Sequence, residues 1–113
     1  MPVTITAPAI TATIRERVER GAAWLDEIQP GWRNRVNVRL LSMDCGDDCI
    51  LGQVFADVTS YFCGYLYAYY TFFGGDEDQI IAYGFEAPLL RNDDRDYSTL
   101  TAAWQHYLTD GMW

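Results

Sequence analysis

Lysine is absent from this chain, and all eight cationic side chains are arginine, which reads as the codon bias of a GC-rich genome. Against sixteen acids the arginines leave a net charge of −8. Such a field repels a phosphate backbone, whose binding needs clustered cations to displace counterions, so direct nucleic-acid binding is disfavoured. Histidine occurs once, as His106, so a Cys-His hydrolase has a single candidate base. That residue follows Gln105 on the expected outer side of the last helix, and nothing in the pattern supplies the geometry of a triad. The three cysteines are an odd number and argue against a disulfide framework.

Long apolar runs are scarce too. Val58 to Gly75 is uncharged and nears membrane-spanning length, but its five tyrosines and internal glycines make it too polar and too interrupted to span, so it reads as core and no membrane partner is expected. The first fourteen residues show neither a positive n-region nor the apolar run of a secretory signal. The expectation is a protein kept inside the cell, in the cytoplasm. There is no internal repeat and no low-complexity segment.

What is present suits one folded unit. The chain has 113 residues, half of them hydrophobic and 15% aromatic, enough for one modest core. Residues 1–10 lack charge and periodicity and carry Pro2 and Pro8, so they are expected to form a flexible leader ahead of a single helical domain at 11–113. Thr13 to Glu16, "TIRE", matches a capping box. Ile14, Val18, Ala22, Leu25 and Ile28 then recur at helical spacing, with Glu16 and Arg20 four apart, and the helix should end before "PGW" at Pro30 to Trp32. Val36, Val38 and Leu40 alternate like a short strand near 36–41, although Val36, Leu40 and Leu41 would also suit a helical turn. From Cys49 to Phe73 apolar and aromatic residues recur three or four apart, as one long or two broken helices. A short helix after "GGDED" and a closing helix carrying Leu100, Trp104 and Leu108 complete the expectation: a mostly all-α bundle of three to five helices.

Four segments together, "RGAAWLDEIQPGW", "CILGQVF", "AYGFEAP" and "YSTLTAAWQHYL", resemble a group of small uncharacterised proteins of actinobacteriophages and their hosts. The resemblance spans roughly residues 15 to 108. It implies a small acidic accessory protein of the phage type, with a host-modulating or anti-defence role, and no single motif in it carries chemistry. Relatives often place the cysteines before Leu-Gly-Gln more closely than Cys45 and Cys49 stand here, which weakens a carried-over metal site. The aromatic segment "SYFCGYLYAYYTFF" is richer than in those relatives.

The residues offer three kinds of site. Cys45 and Cys49, with Asp44, Asp47 or Asp48 and then Cys63 or His106, are the candidate ligands of a small zinc module. A structural zinc site usually shows two short-spaced pairs where this chain has one loose pair, so the leading expectation is no metal and no cofactor, with Cys49 and Cys63 as small core residues. The acids also miss the alternate positions of a calcium loop. The clusters at Asp47–Asp48, Asp76–Asp78 and Asp93–Asp96 could mimic nucleic-acid phosphates against a host enzyme, but each precedes an expected helix, where carboxylates meet the positive end of the dipole. The third kind is an aromatic protein contact. Trp32, Arg33 and Arg35 sit in a connection, with Trp32 either exposed or folded back over the first helix. A helix cannot bury every face of Tyr61, Tyr65 and Tyr69 in so small a domain. No two of the acids stand out as a catalytic pair. The function expected is therefore non-enzymatic binding of another protein, which the resemblance implies is host-encoded, or a homodimer, with the metal module and the nucleic-acid mimic as alternatives.

Overall fold

The computed structural model describes residues 14–58, 63–87 and 95–110. Among them run five α-helices, α1 (Ile14–Ile28), α2 (Ile50–Val54), α3 (Gly64–Thr71), α4 (Glu77–Ala82) and α5 (Arg95–Asp110), with 3-10 turns at Trp32–Arg35 and Val38–Leu40. No strand occurs among the described residues. The all-α expectation holds, and the expected leader and the capping threonine at Thr13 lie outside the described residues.

α1 forms where its apolar spacing predicts and buries Val18, Ala22, Trp24 and Leu25. It packs against α5 and α4. Gly21 makes that approach possible, because a Cβ there would stand 2.1 Å from the Tyr83 carbonyl oxygen and 3.2 Å from the Trp104 ring. A mid-helix glycine costs about 1 kcal/mol relative to alanine, and close packing is the return. Arg20, expected to pair with Glu16, instead donates to the Ala82 carbonyl at 2.7 Å, a cation at the carbonyl end of α4. Trp104 is fully buried, stacks on Phe85 at 5.6 Å and donates its indole N–H to the Gly84 carbonyl at 2.7 Å. Trp24 contacts Phe72, Phe73, Tyr83 and Phe85. The core is thus an aromatic stack rather than a leucine bundle.

The strand expected near 36–41 is corrected. Val36, Asn37 and Leu41 do have extended backbone angles, but the segment pairs with a side chain instead of a neighbouring strand. The Asn37 amide donates to Gln53 Oε1 at 2.6 Å, and Gln53 Nε2 donates to the carbonyls of Asn37 and Asp48. With those backbone groups satisfied, Val38–Leu40 closes into a 3-10 turn, which leaves Val36 half-buried against the core, Val38 half-buried and Leu40 60% exposed, so the three residues do not share one buried face.

The aromatic run divides into α2 and α3, the broken form of the two expected. The cap of α2 is neither Asp47 nor Asp48, the acids that precede the helix, but Cys49, whose Sγ accepts from the Gly52 amide at 3.3 Å. Asp76 caps α4 by accepting from the amides of Asp78 and Gln79, the role its position suggested. α5 begins at Arg95, so Asp96 of the third acidic cluster falls inside its first turn rather than ahead of it. Asp93 and Asp94 lie outside the described residues.

Candidate functional site

Between the turn that leads into α2, the start of α3 and the start of α5 lies a polar recess of about 100 Å³, lined by Met43, Asp44, Cys45, Cys49, Tyr65, Glu86 and Tyr97 among others. It adjoins a wider cleft of about 550 Å³ lined by Ser42, Asp44, Tyr97, Ser98 and Thr101. Glu86 is the only charged residue between Asp78 and Arg91. Its Oε2 accepts from the Tyr65 hydroxyl at 2.8 Å, and its Oε1 accepts from the Tyr97 hydroxyl and the Ala87 amide at 3.0 Å. Two phenols from different helices therefore clamp one carboxylate. Burial, and then the neighbouring Glu86 charge, push the Tyr65 phenol well above its ordinary range. Tyr97 shifts the same way through burial and its bond to Glu86. Both hydroxyls hold their protons and act as donors.

α3 extends this site along the surface. Tyr65 stacks on Tyr69 with centroids 5.8 Å apart, and Tyr69 meets Tyr70 edge-on at 5.0 Å. Tyr69 also donates to the Gly75 carbonyl at 2.8 Å, which fixes its ring, while Tyr70 is 54% exposed. The Tyr69 phenol is raised by lost solvation and then by Glu77, Tyr70, Asp76 and Glu86. Asp44 and Glu77 also act on Tyr97. Three carboxylates, Asp76, Glu77 and Glu86, thus act on the tyrosine ladder and Asp44 acts on Tyr97 beside it, and none of the four pairs with an arginine among the described residues.

The six residues expected at an interface separate into two groups. Trp32 is corrected from an exposed anchor to a core residue: it is 1% exposed, packs edge-on against Trp104 and donates its indole N–H to Asp26 at 2.8 Å. This is the fold-back over the first helix. Arg33 lies over the rings of Trp32 and Tyr107 and donates to the Tyr107 hydroxyl. Arg35 donates to the Val54 carbonyl and to Asp57. The two arginines tie the connection to α5 and α2. Tyr65 and Tyr69 belong to the ladder, and Tyr61 lies outside the described residues.

The comparisons return no match to any family model, curated protein or solved structure.

The cysteines come together more closely than their spacing suggests. Cys45 and Cys49 line the same recess, and the Cys63 Sγ lies 2.9 Å from where a Cβ on Gly46 would stand. Burial pushes the Cys49 thiol up to about 12, with its bond from Gly52 acting the other way and Cys63 raising it further. A thiol held protonated is a poor metal ligand and a poor nucleophile. Among the described residues no group of three or more His, Cys, Asp and Glu is placed to hold a metal ion. His106 is exposed.

Sequence reasoning did not find Glu86 or Tyr97. The available signal was a lone acid in the apolar stretch "IIAYGFEAP": a carboxylate there needs donors, and tyrosine is the donor this chain has in plenty.

Proposed function

We propose that the protein is a non-enzymatic binding module that engages another protein through the tyrosine ladder of α3, and that the partner surface is basic. The observation that carries this is the row Tyr65, Tyr69 and Tyr70 set among carboxylates acting on the same phenols. Tyrosine supplies large, rigid contact area at low entropy cost, and unpaired acids select a partner of opposite sign. The resemblance to actinobacteriophage accessory proteins adds a host protein as the class of partner and the cell interior as the place of encounter. Tyr70→Ala removes an exposed ring with little effect on folding. Capture from a host lysate should recover one partner with the wild-type protein and lose it with Tyr70→Ala, and recovery should fall as salt rises. Equal recovery by both proteins would overturn the assignment.

A further inference from the structure

Resting on that reading of the tyrosine face, we infer that the recess between Tyr65, Tyr97, Glu86 and Asp44 is a seat for a primary alkylammonium group. Its lining holds two carboxylates, Glu86 and Asp44, and no arginine among the described residues. Both phenols spend their hydrogens on Glu86, which leaves their oxygens with lone pairs and no donor to offer a ligand. Asp44 accepts from Ser42 at 2.5 Å through one oxygen, so its other oxygen remains to accept. The site therefore presents acceptors, negative charge and aromatic rings, and the complement is a compact cation with several N–H donors. A primary ammonium has three, and tyrosine rings add cation–π attraction.

The volume narrows the choice. About 100 Å³ accommodates an ammonium head and its first carbons, whereas a guanidinium is a wide planar fork that asks for bidentate partners. A divalent metal is disfavoured by the same lining, since no three metal-ligating groups converge among the described residues. The adjoining cleft, with Ser42, Ser98 and Thr101 along it, has room for the rest of the ligand. That remainder is either the chain of a free amine or the backbone of a partner whose lysine enters the recess.

The test is an NMR titration of the intact protein with n-butylammonium, using n-butanol as the neutral control. The ammonium should give saturable shifts confined to the amides of Gly46, Cys49, Tyr65 and Glu86, and the alcohol should give none. Asp44→Asn and Glu86→Gln, which keep the shape of the side chain but exchange one acceptor oxygen for an NH2 donor and remove the charge, should each weaken binding at least about tenfold. Tighter binding of Nα-acetyl-lysine amide than of n-butylammonium assigns the group to a protein side chain, and equal or weaker binding assigns it to a free amine. Equal shifts with amine and alcohol, absence of saturation, or binding unchanged in both variants would overturn the ammonium seat. A partner that still docks on Tyr69 and Tyr70 would then show that the seat alone has failed, and the absence of any such docking would show that the binding face has failed.

Discussion

Replacing Glu86 by alanine removes the carboxylate that joins α3 to α5 through the recess. Three donors lose their acceptor: the hydroxyls of Tyr65 and Tyr97 and the amide of Ala87. Hydrogen bonds to a charged group contribute about 1.5–3 kcal/mol each when buried, and a partly wet site keeps roughly half of that because water replaces part of what is lost. The expected loss is about 2–4.5 kcal/mol, a large fraction of the stability of a domain this size. Urea denaturation measures it, and a double-mutant cycle with Tyr97→Phe should show non-additivity, because both changes break the same bond. An ultraviolet pH titration reads the phenols directly. In the wild-type protein their pKa values stand above the ordinary 10, so their stabilising effect is complete below the unfolded pKa and is lost as pH rises past about 10. Glu86→Ala should return both phenols toward that value and flatten the alkaline loss of stability. An unchanged denaturation midpoint, with the two tyrosines titrating no earlier than in the wild-type protein, would refute the clamp.

Gly21→Ala should destabilise by about 2 kcal/mol despite a helix-propensity gain of about 1, since its Cβ would meet the Tyr83 carbonyl oxygen; thermal melting decides, and a stabilised variant would refute the close approach of α1. Iodoacetamide at mildly alkaline pH should label Cys45 and spare Cys49, whose thiol sits near 12, and stability should fall by up to roughly 1.4 kcal/mol per pH unit above about 9 as the unfolded thiol ionises first. Peptide mapping that finds Cys49 labelled as fast as Cys45 would count against its burial. Gln53→Leu should cost about 1 kcal/mol and speed hydrogen exchange at the Asn37 amide, which donates to it; slow exchange in the variant would mean that the turn holds itself.

The helices were legible where apolar spacing was regular and the ends were marked. α1 shows this with Ile14, Val18, Ala22 and Leu25 before Pro-Gly, and α4 shows it with Asp76 as its cap. The segment near 36–41 misled because Val36, Val38 and Leu40 alternate like a strand, whereas Gln53, thirteen residues or more away, satisfies the backbone that a strand would have paired. Trp32 misled in a related way: its Pro-Gly connection looked too exposed to bury a large ring, but Trp104 and Asp26 receive it. The tyrosine face was half visible, since one helix cannot bury five tyrosines. The Glu86 clamp was not visible, because it joins residues from three separate segments that only the packing of α3 on α2 and of α5 on α1 brings together.

Hydrogen exchange on the protein bound to a partner captured from lysate tests the proposed binding face most directly. New protection is predicted at α3 and the start of α4, centred on Tyr69, Tyr70, Asp76 and Glu77, with Arg33 and Arg35 unchanged. Protection centred on the connection from Trp32 to Leu40, with none on α3, would contradict it.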